Sequence, residues 1–148
     1  MIEFSHEPLQ VLEDNFHLAQ EHWDEVMRTS HPLDMHWDLY RFIERAGNLV
    51  CFYAREGREV AGYALFMLQP QLHSKRISSA SNDAVFIRKI SRKGWNGIKF
   101  IKYCDQQLSL MGIRQIVWQV TPQVDYSRVL QSLGYKKFST LYTKDIGG

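Results

Sequence analysis

The sequence has little from which a cross-linked or membrane-spanning protein could be built. Its two cysteines, Cys51 and Cys104, lie in apolar stretches and form no Cys-x-x-Cys pair. A disulfide framework is excluded, and both thiols are expected to be reduced core groups. The longest apolar run, Val60 to Leu68, is half the length a membrane span requires. Residues Met1 to Glu7 carry neither a basic nor an apolar leader segment, so no signal peptide is expected. Charge is nearly balanced at a net +2, too little to argue for a polyanionic partner by total alone. The histidines His17 and His22, like His31 and His36, are five residues apart, which on a helix turns the rings about 140° from each other. Neither pair can hold a metal from one face, and all four are expected at the surface. Ser78, Ser79 and Ser81 lack a nucleophile elbow.

What is present suits one ordinary globular domain over residues 1–148. The chain is 45% hydrophobic and 23% charged and long enough to bury a core unaided. A cytoplasmic setting is expected.

Apolar residues recur in two helical patterns at the start. Phe16, Ala19, Trp23 and Val26 share a face between Asn15 and Met27, and Ser30-His31-Pro32-Leu33 breaks the helix. Asp34 is positioned to cap a second, with Trp37, Tyr40 or Phe42, and Ile43 inward and Gly47 past its end. Leu49 to Ala54 and Glu59 to Leu68 are rich in β-formers and flank a polar turn, predicting a hairpin whose second strand ends at Pro70. The polar, serine-rich run Gln71 to Asn82 predicts a mobile loop. Later, Gly97, Ile101, Cys104, Leu108 and Met111 predict a helix packed on a sheet. Arg114 to Val120 predicts a strand and Tyr126 to Leu133 a short helix capped by Asp125. Tyr135 to Ile146 predicts a final strand.

The remaining stretch, Asp83 to Ile101, organises the chain. Val85, Phe86 and Ile87 suit a buried strand; Arg88, Lys89, Arg92 and Lys93 surround a turn bearing Gly94 and Gly97; a helix follows at once. The first amides of a helix lack internal acceptors and sit at the positive end of its dipole, so such a turn can bind a phosphate. This order resembles the acetyl-CoA-binding motif of the GNAT acyltransferases, an apolar strand followed by Arg/Gln-x-x-Gly-x-Gly/Ala and a helix. Arg92 takes the first place and Gly97 the last, while Trp95 replaces the central glycine, with Gly94 one residue early. The ending Leu133-Gly134-Tyr135 with Tyr142 and Lys144 is similar to the family's Leu-Gly-Phe/Tyr … Tyr-x-Lys. With Asp125-Tyr126, it resembles small GNAT-like proteins of tailed bacteriophages, which would act in the host cytoplasm.

The resemblance implies an α/β (α+β) fold, with a mixed, mostly antiparallel central sheet flanked by helices and a splayed coenzyme-binding cleft. It implies an N-acyltransferase with acetyl-CoA as co-substrate, no metal, and a small-molecule or protein amine as acceptor. By resemblance, Arg92, Lys93, Gly94, Trp95, Asn96, Gly97 and Ile98 take the pyrophosphate, with Arg88 beside them, and the backbone of Phe86 and Ile87 takes the pantetheine arm. An amine of pKa about 10.4 must lose a proton. Asp83 is the candidate base, its alternative being an ordinary strand-end carboxylate. The family's usual proton donor, a tyrosine, corresponds here to Leu130; Tyr126 and Tyr142 are the substitutes, although a tyrosine on a helix face is more often packing than catalysis. Two other readings stand beside this one. One is a non-catalytic GNAT-like binding or virion structural protein. The other is a nucleic-acid module using Arg88, Lys89, Arg92 and Lys93 with Trp95 as a stacking platform. A membrane role is not expected, and a homodimer is compatible with the pattern.

Overall fold

The computed structural model describes residues 1–26 and 31–147. The expected helix end at Met27, the start of the break at Ser30, and the terminal Gly148 lie outside them. The architecture is one mixed five-stranded sheet in the order β1-β2-β3-β4-β5. It comprises β1 (Ile2–His6), β2 (Leu49–Glu56), β3 (Glu59–Gln71), β4 (Ser74–Ile87) and β5 (Gln115–Val117). The first four pair antiparallel and β5 joins β4 in parallel. Five α-helices among the described residues flank it: α1 (Gln10–Asp14), α2 (Phe16–Val26), α3 (Trp37–Arg45), α4 (Asn96–Leu110) and α5 (Ser127–Ser132).

Strand side chains alternate between faces, and here both faces are covered. Cys51, Tyr53, Tyr63, Leu65 and Phe86 pack under Leu9, the N-cap residue of α1, and Leu12, Leu18 and Ala19 of the N-terminal helices. Val50, Phe52, Ala64, Phe66 and Ala80 pack under Phe100, Cys104 and Leu108 of α4. That is why β2 and β3 read as continuous apolar runs instead of alternating ones. The free thiols of Cys51 and Cys104 belong to opposite layers, and burial pushes Cys51 up to about 12. At Gly62 a Cβ would lie 2.5 Å from the Phe86 carbonyl oxygen, so glycine is what lets β3 run against the functional end of β4.

Several expectations are corrected. Gln71 to Asn82 is not a loop: β3 runs through Pro70 to Gln71, turns over Leu72-His73, and returns as β4. A strand is held by its backbone, and the serines and exposed Lys75 and Arg76 ride on a ladder that side-chain polarity does not report. Pro70 is tolerated beside a register irregularity. α3 is capped by His36, whose Nδ1 accepts from the Leu39 amide, and not by Asp34. Its Trp37, Tyr40 and Ile43 face inward, whereas Phe42 is exposed. Strand β1 and helix α1 were not expected. Finally, the segment after Tyr135 forms no strand. Tyr135 Oη donates to Asp105 Oδ1 of α4 at 2.5 Å, after which Phe138, Leu141 and Ile146 stay exposed.

Candidate active site

β5 stays with β4 for only three residues, Ser79–Ser81. Two adjacent residues of β4 explain why the strands then part. Asn82 pairs with Phe66 and Ala84 with Leu65 across β3, which leaves Asp83 as the extra residue of a β-bulge and bends the strand. Asn82, only 8% exposed, spans the widening gap with its side chain. Its Nδ2 donates to the Gln119 carbonyl (3.0 Å) and its Oδ1 accepts from the Gln119 amide (2.5 Å). A side-chain amide thus stands in for a peptide unit, and the chain after β5 is held a side chain's length away. From Asp83 to Ile87, the β4 edge on that side has no strand partner among the described residues. The opening is a cleft of about 320 Å³, walled by α2, β4 and residues 119–126.

Asp83 and Tyr126 both line this cleft. Tyr40 Oη donates to Asp83 Oδ2 at 2.5 Å; burial, then this carboxylate, push the Tyr40 phenol up. Tyr126 sits at the entry to α5, its ring edge-on to Trp118 and its Oη 3.5 Å from the Gln119 carbonyl. Burial raises its pKa as well, so the phenol keeps its proton at neutral pH. His22 is not a surface histidine. Its ring stacks on Phe86 at 4.9 Å, Nδ1 lies 2.7 Å from Tyr63 Oη, and burial lowers its pKa to about 4, with Arg92 acting in the same direction and Glu25 opposing.

β4 runs directly into a 3₁₀ turn, Lys89–Ser91, and then the start of α4. The Ser91, Arg92 and Asn96 amides are satisfied by the carbonyls of Arg88, Lys89 and Lys93, and Asn96 Nδ2 donates to the Ser91 carbonyl. The amides of Lys93, Gly94, Trp95, Gly97 and Ile98 have no acceptor among the described residues. Gly94 takes φ +53°, a conformation that favours glycine. At Gly97 a Cβ would meet nothing within 4 Å, so the protein's own packing does not demand a glycine there.

The arginines face elsewhere. Glu25 of α2 holds Arg92 bidentately at 2.7 and 2.8 Å, Arg92 Nε donates to the Ile87 carbonyl, and the guanidinium lies 5.5 Å from the Phe86 ring centre. The hydrogen bond from Arg92 holds the Glu25 carboxyl below its usual range. Arg88 faces Glu21 at 3.4 Å, and its buried Nε makes no hydrogen bond. Two acids one turn apart on α2 thus meet two arginines that are also four residues apart.

No family model matches the sequence, and no curated protein matches it. Solved structures do align with it over nearly its whole length. A transcriptional regulator from Bacillus halodurans C-125 has a TM-score of 0.77 at 18% identity, covering 99% of this chain and 100% of its own. An aminoglycoside acetyltransferase from an uncultured soil metagenomic sample has a TM-score of 0.77 at 12% identity, covering 99% and 97%. An acetyltransferase from Clostridium acetobutylicum, solved with acetyl-CoA, has a TM-score of 0.73 at 12% identity, covering 98% and 96%. The chain has the GNAT fold. At these identities the likeness fixes the architecture and leaves the reaction to the site.

Within the GNAT fold, the expected residues fall in different places, Arg88 against Glu21. Asp83, Phe86, Arg92 and Tyr126 line the splayed cleft. Lys93, Gly94, Trp95, Asn96, Gly97 and Ile98 form the turn, with Trp95 68% exposed at the N-cap of α4. Ile87 lends its carbonyl to Arg92. Tyr142, 91% exposed, does not line the cleft. Leu130 is 6% exposed and packs inside. No group of three His, Cys, Asp or Glu able to hold a metal occurs among the described residues, and no helix there is long and apolar enough to cross a membrane. Sequence reasoning missed Tyr40, His22, Asn82 and Glu25. Only the acids left a signal, since Glu21 and Glu25 repeat at the spacing of Arg88 and Arg92.

Proposed function

We propose that the chain is an N-acyltransferase that moves an acetyl group from acetyl-CoA to an amine. The observation that carries this reading is the junction of β4 with α4. The strand walling the cleft leads straight into five amides with no acceptor among the described residues and a glycine with open space beside it. A diphosphate fits such a donor set. The Lys93 ammonium makes no ion pair among the described residues and adds charge beside it. The edge of β4 that has no strand partner among the described residues runs past Phe86 to Ile87, whose carbonyl Arg92 Nε already holds, and it can accept an extended arm as an added strand. A structure of the same fold solved with acetyl-CoA supports the choice of donor.

Acetyl-CoA supplies an acyl carbon activated as a thioester. Asp83 takes the proton from the acceptor amine, directly or through one water, and Tyr40 orients its carboxylate. As the acyl carbon changes its bond from sulfur to nitrogen, the Tyr126 hydroxyl supplies a proton to the departing sulfur. Tyr126 takes the role that the buried Leu130 cannot. The Asp125-Tyr126 pair and the Leu133-Gly134-Tyr135 triplet support placement among the small phage GNAT-like proteins.

Calorimetry with acetyl-CoA, followed by acceptor-dependent release of free thiol, tests the reading. Wild type should bind at micromolar affinity, and Asp83→Asn should lower turnover about 100-fold or more while binding acetyl-CoA normally. Absence of binding would refute it. Leu130 at the donor position and Trp95 in the glycine position favour one rival, a GNAT fold that binds without reacting. Normal binding with no turnover on any amine is its signature.

A further inference from the structure

Building on that reading, we propose that the acceptor is a small monocationic primary amine carried on an aromatic body, seated with its ammonium on Asp83. The argument is a charge inventory of the cleft. Among the described residues that line it, the charged or basic ones are Asp83, Arg92 and His22. Arg92 is spent on Glu25 through both terminal guanidinium nitrogens, and its Nε on the Ile87 carbonyl. His22 is neutral at physiological pH. Among the described residues, Asp83 has only the Tyr40 hydroxyl as a partner and no cation. Among the described residues of the cleft one carboxylate, on the exposed Asp83, therefore remains without a counter-charge, and a single cation suits it.

The surrounding walls fix the rest of the ligand. Trp23, Tyr40, Tyr63, Phe86 and Tyr126 line the same space, giving aromatic faces for a ring to stack on and for an ammonium to lie against. A polycation such as an aminoglycoside would carry surplus ammonium groups into a site with a single acid, and each unpaired charge is costly to desolvate. An amino-sugar phosphate would bring an anion to a cleft whose one arginine is taken. The volume of about 320 Å³ must also admit the acetyl group, which limits the acceptor to a compact amine.

The test separates this inference from the transferase reading by measuring amine binding without coenzyme. Phenethylamine, 2-phenylethanol, kanamycin and glucosamine 6-phosphate are titrated into the full chain, followed by tryptophan fluorescence and calorimetry. Phenethylamine should bind about tenfold or more tightly than each of the others, and Asp83→Asn should remove that advantage while leaving 2-phenylethanol unchanged. Circular dichroism confirms that the variant is folded. Preference for kanamycin or the sugar phosphate, or equal binding of the amine and its alcohol, would overturn the proposal. Failure of acetyl-CoA to bind would refute the transferase reading and leave this outcome legible on its own.

Discussion

Asn82 bonds Gln119 through both ends of its side-chain amide, a bridge by which β4 keeps hold of the chain leaving β5. Two hydrogen bonds at a buried position are worth about 2 kcal/mol together, and more when the partners are left unsatisfied. Asn82→Leu should therefore lower folding stability by about 2 kcal/mol in urea denaturation. It should also speed hydrogen exchange at the Gln119 amide specifically. An unchanged exchange rate at Gln119 would mean that the cleft is held open by something else.

Gly97 gives a cleaner separation of stability from binding. In a helix, alanine is favoured over glycine by about 1 kcal/mol, and a methyl here meets no protein atom. Gly97→Ala should leave the melting temperature equal or higher and yet weaken acetyl-CoA by about tenfold, because the ligand needs the space. If affinity is retained, the diphosphate does not approach this turn.

The two basic residues of the turn should respond differently. Lys93→Ala should cost about 1 kcal/mol of acetyl-CoA affinity, the worth of one charge-assisted contact. Arg92→Ala should act first on folding, since its guanidinium is held by Glu25. A double-mutant cycle with Glu25→Ala should give a coupling of about 1 kcal/mol in denaturation. Zero coupling would dissolve the clamp between α2 and the turn.

His22 predicts an acid-sensitive limb of stability. Its pKa falls from an ordinary 6.5 to about 4 on folding, so the unfolded chain takes up the proton first. Stability is complete above pH 6.5 and declines as pH drops toward 4, by on the order of 3 kcal/mol at most. Glu25, whose carboxyl is depressed, adds its loss only below its ordinary range near 4.5. Between pH 6.5 and 5 the slope therefore belongs to the histidine. His22→Phe should keep the stack on Phe86 and flatten that limb; an unaltered slope would show that another group titrates.

Much of the fold was legible because local rules agreed with it. The helix at Gly97 to Met111, the hairpin at Leu49 to Leu68 and the glycine-bearing turn each follow from periodicity and turn chemistry within a short window. The polar strand Ser74 to Asn82 was not legible, because its ladder is made by main-chain groups that every residue carries. The final strand expected at Tyr135 to Ile146 failed for a related reason. An extended pattern states what a segment can do, whereas pairing needs an available edge.

The sequence by itself determined the strand, basic turn and helix that could receive a phosphate, and hence the class of ligand to look for. Tertiary structure alone decided where the charges go: Glu25, far away in the chain, takes Arg92 out of the turn, and Tyr40 brings a phenol to Asp83. Backbone amides and glycines act locally and can be read in order along a chain. Side-chain charges act through space, so their partners are set only when distant segments pack together.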